Sequence, residues 1–411
     1  MPHALIIGGS VGGLLAASLL RGIGWQVTVF ERIESDLGDR GAAIGITSAL
    51  LAVMQRIEAR IDRSIGIESR SRIALDRGGR IAAEAPIRGL TSAWSRLYRP
   101  LKDALPSACY CAGADLRRVA LGSSGVTAIF EDGRRVTGDL LIAADGIHST
   151  VRRQLLPDVT PRYAGYLVWR AVLRERSIPP AVHSKIFHHM SFCFPDGEMV
   201  LCLPMAAAEG DDERRFQIAW FRPAEEAALL EMCTDATGRQ HGTSIPPPLI
   251  RGEVLEAMRT SANARLPAEI AALLAQTTQP ILQPIFDCVS PRIAFERVVL
   301  LGDAAFVARP HVATGVTKVA LDARCLVDAL SAAGSIDAAL ARYENERQPA
   351  GHRLVARGRY LGQHLESRAD QTPIERNPER IMREYGAEGV VDDTFIDAQL
   401  EKDGMWPSSR R

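Results

Sequence analysis

The sequence predicts an α/β protein in which a nucleotide-binding domain with a parallel sheet is interrupted by an antiparallel sheet. Three observations predict this class. A glycine-rich turn lies between two apolar strands near the N-terminus, and a second strand, turn and helix occupy 298–323. Between them, runs rich in aromatic and β-branched residues extend over 163–221. A chain of 411 residues is long enough for two such domains.

The N-terminal segment is typical of a nucleotide-binding unit. Ala4–Ile7 is a short apolar strand, Gly8–Gly13 forms the turn, Leu14–Arg21 follows as a helix, and Gln26–Phe30 is a second strand. Small residues let the backbone approach a pyrophosphate, and the helix N-terminus supplies N–H groups and a positive dipole end. Ser10 stands where the G-x-G-x-x-G pattern has its middle glycine.

Glu31 ends the second strand, roughly 20 residues beyond the turn, where an acidic side chain binds a ribose 2′-hydroxyl. Its charge also disfavours a 2′-phosphate at this site. A further apolar strand, from Asp139 to Ala144, ends in Asp145-Gly146 and is followed by a helix start with Ser149 as the cap.

The middle of the chain has the pattern of an inserted antiparallel sheet. Strand-like runs begin at Tyr163, Lys185, Glu198 and Arg215, and a hairpin around Gly78-Gly79 is expected to add to them. The run from Lys185 places His188 and His189 on a strand. Helices are expected at 225–232 and 251–258, and 291–301 returns the chain to the first domain.

The segment 298–323 is the most informative one. Its apolar strand ends at Gly302-Asp303, a turn with Pro310, His311 and Gly315 follows, and a helix then begins. Two distant segments built to meet one extended ligand indicate a dinucleotide, and Gly302-Asp303, which a plain NAD-dependent dehydrogenase does not need, favours a flavin.

These motifs resemble those of the flavoprotein aromatic hydroxylases similar to para-hydroxybenzoate hydroxylase. The resemblance rests on GGSVGG with Glu31, on DLLIAADG, on LLGDAA and on Tyr343-Glu344 with Arg347 and Pro349. Within the family, YAGYLVWRAVL and Arg309-Pro310-His311 resemble the branch that hydroxylates dihydroxypyridines. Phe306, Thr317 and Tyr98 replace residues common in the wider family, and this branch shares the changes.

The resemblance implies FAD as the cofactor, NADH or NADPH as the co-substrate, and a para-hydroxybenzoate hydroxylase-like fold. It implies a Rossmann-type FAD-binding domain over 1–70, 96–162 and 286–360, a substrate domain over 71–95 and 163–285, and a C-terminal tail over 361–411. The expected cofactor contacts are Gly8, Ser10, Val11, Gly12, Glu31, Arg32, Ala43, Asp145, Asp303, Ala313, Thr314, Gly315, Val316 and Thr317.

The resemblance also implies the reaction. Reduced nicotinamide reduces FAD, O2 adds to give a flavin C4a-hydroperoxide, and one oxygen atom goes to an electron-rich ring. A base near the substrate hydroxyl helps to ionise it, and His311 is the candidate catalytic residue. Pro310, His311, His188 and Trp220 are the candidate substrate contacts, and Arg170 is a further candidate for the pocket lining.

The predicted function is hydroxylation of a small hydroxylated aromatic ring, with a hydroxypyridine such as 2,6-dihydroxypyridine favoured. The alternatives are a hydroxylase of another phenol or benzoate, such as salicylate, and a flavin-binding protein without hydroxylase turnover. The sequence does not distinguish NADH from NADPH.

Composition bears on the partners. With 49 basic and 49 acidic residues the chain lacks the charge footprint of a nucleic-acid binder. Its apolar runs are short and interrupted, and MPHALIIGGS lacks the regions of a signal peptide. No cluster of Cys, His and carboxylate residues has ligand spacing. We therefore expect no nucleic-acid or membrane partner, no metal, a cytoplasmic location and a possible homodimer.

Overall fold

The computed structural model describes residues 1–38, 43–57, 61–87, 89–122, 125–208, 210–366, 377–387, 389 and 391–405. Its N-terminal elements, in chain order, are β1 (His3–Ile7), α1 (Val11–Gly22), β2 (Gln26–Glu31), β3 (Ala43–Ile46), α2 (Ser48–Met54), β4 (Ile67–Glu68), β5 (Ser71–Leu75), β6 (Ile81–Pro86), β7 (Leu90–Ala93), α3 (Trp94–Asp103), β8 (Tyr110–Ala112), β9 (Leu116–Gly122), β10 (Gly125–Phe130), β11 (Arg135–Gly138), β12 (Leu140–Ala143) and α4 (Thr150–Leu155).

The remaining elements are β13 (Arg162–Arg174), α5 (Pro180–Val182), β14 (Met190–Cys193), β15 (Met199–Met205), β16 (Arg215–Pro223), α6 (Glu226–Met232), α7 (Gly252–Arg265), α8 (Ala268–Ala275), β17 (Ile281–Val289), β18 (Ala294–Phe295), β19 (Val298–Leu300), β20 (Phe306–Val307), α9 (Gly315–Ala332), α10 (Ile336–Gly362), α11 (Pro378–Glu384) and α12 (Asp393–Lys402).

The predicted parallel sheet is present. In the described part of the chain it has six strands in the order β18-β19-β12-β1-β2-β8, all parallel except for the β18–β19 pair. The central strands are apolar and buried because helices cover both faces of such a sheet. Parallel strands place their carboxyl ends at one edge, so Gly8, Glu31, Asp145 and Gly302, which follow or end these strands, come together there.

The second predicted sheet is also present and is larger than the sequence indicated. The described residues form eight strands in the order β20-β17-β13-β16-β15-β14-β5-β6, antiparallel except for the β14–β5 pair. One face carries Trp169, Trp220 and Ile218 and packs beneath α6, α7 and α8. The opposite face carries Tyr166 and Phe221.

The combination of the two sheets confirms the predicted α/β class with an inserted sheet and the para-hydroxybenzoate hydroxylase-like fold. The exact domain boundaries stay a prediction. One local prediction was wrong: His188 and His189 are not on a strand, because His183–Phe187 forms a turn of π-helix and β14 begins only at Met190.

The C-terminal region, for which the sequence suggested only a polar tail, contributes packed structure. Helix α12 lies along α10, where Ala356, Ile396 and Leu400 form a small apolar cluster and Arg353 bonds to Asp393. Helix α11 lies against β5 and β6. In the part of the chain that is described, no helix is both long and apolar enough to cross a bilayer.

Candidate active site

The turn after β1 needs glycine at two positions, because other backbone atoms lie where a Cβ would be. Gly8 has a φ of +109°, and a Cβ there would lie 2.3 Å from the carbonyl oxygen of Ala144. A Cβ on Gly13 would lie 1.9 Å from the carbonyl oxygen of Gly8. Helix α1 begins at Val11, and the side chain of its N-cap, Ser10, makes no capping hydrogen bond. The first N–H groups of α1 are therefore available to an anionic ligand.

Glu31 is fixed beside this turn. Its carboxylate accepts hydrogen bonds from the backbone N–H groups of Gly9 (2.8 Å) and Ile33 (2.9 Å), and the residue is 8% exposed. It lines a cavity of about 410 Å³ together with Gly8, Ser10 and the exposed Arg32. A carboxylate has about four lone-pair sites, so Glu31 keeps acceptor capacity for a ligand hydroxyl.

Asp145 lines the same cavity from the end of β12. One carboxylate oxygen accepts from the backbone N–H of Thr150 at 2.8 Å, whereas the other is buried and has no partner among the described residues. Burial raises the pKa of Asp145, although the hydrogen bonds at the start of α4 oppose the rise. An orphaned buried oxygen indicates a missing donor, such as the hydroxyl of a bound ligand.

The loop after β19 presents Asp303. Gly302 has a φ of +68°, and its N–H donates to a carboxylate oxygen of Asp322 at 3.2 Å. The Asp303 side chain is 54% exposed, and its Oδ1 accepts from the buried Lys318 at 2.9 Å. Lys318 also donates to the carbonyl of Phe306 and so ties the loop to the first turns of α9.

Helix α10 holds this loop from behind. Arg347 bonds to Asp322 at 2.7 Å, and the Tyr343 hydroxyl donates to the carbonyl of Leu300 at 3.0 Å. Glu344 accepts from the backbone N–H of Ile293 at 2.6 Å. The Tyr-Glu and Arg motif noted in the sequence is therefore the support of the Gly302-Asp303 loop.

The N-termini of α1 and α9 meet at Val319. A Cβ on Gly12 would lie 2.7 Å from Cγ2 of Val319, and a Cβ on Gly302 would lie 2.8 Å from the same atom. The Glu31 cavity lies at the α1 side, and a second cavity of about 250 Å³ lies at the α9 side. Two cavities placed in this way suit an extended ligand with two different ends, and FAD is such a ligand.

The second cavity is bounded on one side by β3 and by the loop that leads into α9. Its lining on this side includes Ala43, Pro310, Ala313, Thr314, Gly315 and Val316. Ala313 adopts a left-handed conformation (φ 49°), and a Cβ on Gly45 would lie 3.0 Å from its carbonyl oxygen. Thr317 lies behind this surface, where its hydroxyl bonds to that of Thr47 at 2.9 Å. β3 and this loop therefore approach closely and form one wall of the cavity.

The other side of the cavity is the inner face of the eight-stranded sheet. Met190, Leu201, Leu203, Ala219 and Phe221 make it mainly apolar. Polar groups come from Arg170, Gln217, Thr91 and Tyr385. An apolar cavity with a few polar groups is typical of a small-molecule site.

Gln217 has a fixed orientation in this cavity. Its side-chain oxygen accepts from the backbone N–H of Ala43 at 2.9 Å, which links β16 to β3. Because a backbone N–H needs an acceptor, the amide oxygen faces Ala43 and the NH2 group is left to donate elsewhere.

Arg170 is half-buried on β13, and its Nε donates to Gln283 at 2.7 Å. Burial lowers its pKa, and among the described carboxylates none forms a salt bridge with it. Because an arginine stays protonated in proteins, its guanidinium brings an uncompensated positive charge to the cavity. Arg170, a candidate for the pocket lining, thus lines this cavity.

His311 lies one layer behind the cavity rather than in its wall. It is fully buried, its Nε2 lies 2.7 Å from the hydroxyl of Tyr166, and its ring packs against Phe221 and Tyr385. Burial, with smaller effects from nearby cations, holds the pKa of His311 well below 6.5, and burial raises that of Tyr166. Tyr166 therefore donates to a neutral His311, whose Nδ1 has no described partner.

Two other candidate substrate residues lie away from the cavity. Trp220 faces the opposite side of β16, where its indole N–H donates to Glu198 at 2.8 Å, because its neighbours Ala219 and Phe221 take the cavity side. His188 lies after the π-helical turn against the rings of His183 and Phe187. Only Pro310 of the four candidates lines the cavity.

Sequence reasoning missed three residues of the site. Gln217 alternates with Phe216 and Ile218 along β16, so the strand period could have identified it once the cavity face was known. Lys318 lies among the buried positions of α9, where a lysine is unusual unless it is paired, as it is here with Asp303. Tyr385 had no pattern to mark it. Among the described residues, no group of three or more Cys, His or carboxylate side chains could hold a metal ion.

Comparisons with known proteins agree with this geometry. A family model described as FAD binding domain-like matches residues 163–287. The chain is 26% identical over 363 residues to the 2,6-dihydroxypyridine 3-monooxygenase of Paenarthrobacter nicotinovorans, covering 88% of the chain and 91% of the relative. It is 28% identical over 407 residues to the 3-amino-4-hydroxybenzoate 2-monooxygenase of Streptomyces cremeus, covering 95% and 93%.

Among solved structures, the 2,6-dihydroxypyridine-3-hydroxylase of Arthrobacter nicotinovorans superposes with a TM-score of 0.84 at 25% identity, covering 91% of this chain and 95% of the other. The likeness therefore extends over both sheets.

Proposed function

We propose that the chain is an FAD-dependent aromatic hydroxylase, as its likeness to such enzymes suggests, and that it uses NADH or NADPH and O2 to hydroxylate a hydroxypyridine such as 2,6-dihydroxypyridine. The observation that carries the substrate class is the cavity of about 250 Å³ between the α9 loop and the eight-stranded sheet, in which an apolar wall surrounds Arg170 and Gln217.

The two cavities are proposed to hold FAD between them. Gly8, Ser10, Val11 and Gly12 would take the pyrophosphate, and Glu31, Arg32 and Asp145 the adenosine side; this is supported by the open N-terminus of α1 and the orphaned oxygen of Asp145. Asp303 would bind the ribityl chain. Ala43 and the residues from Ala313 to Val316 would face the ring, with Thr317 behind them. When bound, reduced FAD supplies the activation of O2 for transfer of one oxygen atom to the substrate.

Arg170 and Gln217 are proposed to bind and orient the ring. A guanidinium and an amide NH2 group both donate, so they favour an oxygen substituent that carries negative charge. An ionised hydroxyl raises the electron density at the ring carbons ortho and para to it, which is what attack by an activated oxygen needs. The apolar wall excludes water from the reacting carbon.

The cavity supplies no evident base for the substrate. Asp303 is the only carboxylate among the described lining residues, and it is bonded to Lys318. His311 is neutral and lies behind the cavity wall, so in this proposal it is a positioning residue and not a base. Its side chain bonds Tyr166, and its backbone leads into the loop that faces the flavin. The substrate then enters in its ionised form.

A hydroxybenzoate is the second candidate substrate. Arg170 could bind a ring carboxylate as well as an ionised hydroxyl, and one relative is named as an aminohydroxybenzoate monooxygenase. A cytoplasmic location and a possible homodimer stay predictions.

A panel of rings separates these candidates. We expect purified protein to carry FAD, to oxidise NADH or NADPH faster with 2,6-dihydroxypyridine than with 3-amino-4-hydroxybenzoate or salicylate, and to give a product heavier by one oxygen atom. Preference for a benzoate would replace the substrate assignment. If oxidation is stimulated but yields only peroxide with every ring, the protein binds flavin without hydroxylase turnover.

A further inference from the structure

Tyr385 reaches the substrate side of the cavity from the C-terminal region, outside both predicted domains. The residue is 4% exposed and lines the cavity with Arg170, Met190 and Phe221. Its ring lies edge-on to Phe192, with centroids 5.4 Å apart, and to His311, with centroids 5.7 Å apart. These contacts fix the plane of the phenol ring.

The backbone on both sides of Tyr385 is held by arginine side chains. On the N-terminal side, Arg72 of β5 donates to the carbonyls of Met382 (2.8 Å) and Arg383 (2.7 Å). On the C-terminal side, Arg357 of α10 donates to the carbonyls of Gly386 and Gly389, both at 2.7 Å.

A third bond joins this segment to the loop that faces the flavin. The N–H of Gly386 donates to the carbonyl of His311 at 2.8 Å. The segment is thus bonded to β5, to α10 and to the α9 loop, which are the parts of the fold that surround the cavity. An exposed tail needs no such set of hydrogen bonds, so their presence indicates a defined position for Tyr385.

The hydroxyl of Tyr385 is a donor under ordinary conditions. Burial raises the pKa of the phenol, and the positive charge of Arg170 opposes the rise only in part. The phenol therefore stays protonated at neutral pH while a cation lies near it. A protonated hydroxyl beside a guanidinium is a pair of donors suited to one oxygen that carries negative charge.

We propose that Tyr385 is a substrate-binding residue whose hydroxyl donates a hydrogen bond, beside Arg170, to an oxygen substituent of the ring. The C-terminal segment thereby becomes part of the substrate site and sets which oxygen-bearing rings are accepted. The proposal rests on the proposed function, because it assigns a contact to the substrate of that same cavity.

The test replaces Tyr385 with phenylalanine, which keeps the ring contacts and removes the hydroxyl. Binding of 2,6-dihydroxypyridine is measured from the change in the flavin absorption spectrum. We expect Tyr385→Phe to raise the dissociation constant about 10- to 150-fold, since a hydrogen bond to a charged group contributes about 1.5–3 kcal/mol. Less product should form per nicotinamide oxidised, while FAD content and Tm stay those of the wild type.

Tyr163→Phe is the matched control. Tyr163 lies on the same strand as Arg170, and its hydroxyl donates to the carbonyl of Ala224 at 2.9 Å, away from the cavity. Equal dissociation constants for Tyr385→Phe and the wild type, or an equal rise in both variants, would overturn the proposal. A wild-type protein that binds no ring of the panel would instead show that the proposed function has failed, and this inference with it.

Discussion

His311 illustrates how burial decides the chemistry of a residue. Its ring is enclosed by Tyr166, Phe221 and Tyr385, and its low pKa means that it takes up a proton only below its ordinary range, so it stays neutral at pH 7. A neutral imidazole with one nitrogen bonded to Tyr166 can hold a loop in place. It lacks contact with the cavity, which a base for the substrate needs.

We therefore expect His311→Gln to leave the pH dependence of kcat/KM unchanged. Glutamine keeps an acceptor for Tyr166, so kcat should fall by no more than about tenfold, through a less well-placed loop. Between about pH 6 and pH 9 the rise of kcat/KM should follow ionisation of the substrate, because His311 does not titrate there. A loss of about 10²–10⁴-fold together with a vanished inflection would instead identify His311 as the base.

The positions of some residues at the sheet edge could be predicted from their place in the sequence. Gly8, Glu31, Asp145 and Asp303 each follow an apolar strand, and strands of one parallel sheet must end at a common edge. The substrate side offered no such constraint. The alternation along a strand predicts which residues share a face, but not which face helices cover. Trp220 was therefore predicted to contact the substrate, although it lies on the helix-covered face and its neighbours Ala219 and Phe221 face the cavity.

At the scale of elements, α9 and α10 act together to hold the Gly302-Asp303 loop. Asp322 on α9 bonds both the N–H of Gly302 and Arg347 on α10, and it is 3% exposed. Asp328, two turns further along α9, pairs with Arg56 at the surface, where both side chains are more than two-fifths exposed. The same helix thus carries a buried and an exposed ion pair.

This contrast gives a prediction with its own control. Asp322→Asn leaves Arg347 buried without a counter-charge, so it should lower the free energy of unfolding by about 3 kcal/mol and weaken FAD binding. Asp328→Asn should change stability by less than about 1 kcal/mol. The measurements are denaturant unfolding and FAD titration of the apoprotein. Similar effects of the two substitutions would mean that the buried pair does not support the loop.

Elements whose pattern is interrupted were the hard ones to predict. The run from Lys185 is apolar and aromatic enough for a strand, yet its first residues form a π-helical turn and only Met190–Cys193 pair with β5 and β15. Tertiary pairing decided the boundary. The long strand β17 was not predicted, because Gln283 and Pro284 interrupt its apolar run.

At the scale of the whole molecule, distant parts of the chain line the two cavities, one beside Glu31 and one beside the eight-stranded sheet. The N-terminal turn, the α9 loop, the inserted sheet and the C-terminal segment each contribute a wall. The first three segments could be recognised in the sequence, because strands have a regular alternation of residues and glycine turns have a distinctive composition. The last did not, because Tyr385 is positioned by arginines of β5 and α10 that are remote in sequence.

We propose that this protein inserts an oxygen atom from O2 into a hydroxypyridine ring. The most direct test supplies isotopically labelled O2 to the FAD-loaded protein with a reduced nicotinamide and 2,6-dihydroxypyridine, and measures the mass of the product. The account predicts a trihydroxypyridine that carries one labelled oxygen atom. Nicotinamide oxidation that yields peroxide and unchanged substrate, or a product whose new oxygen comes from water, would contradict it.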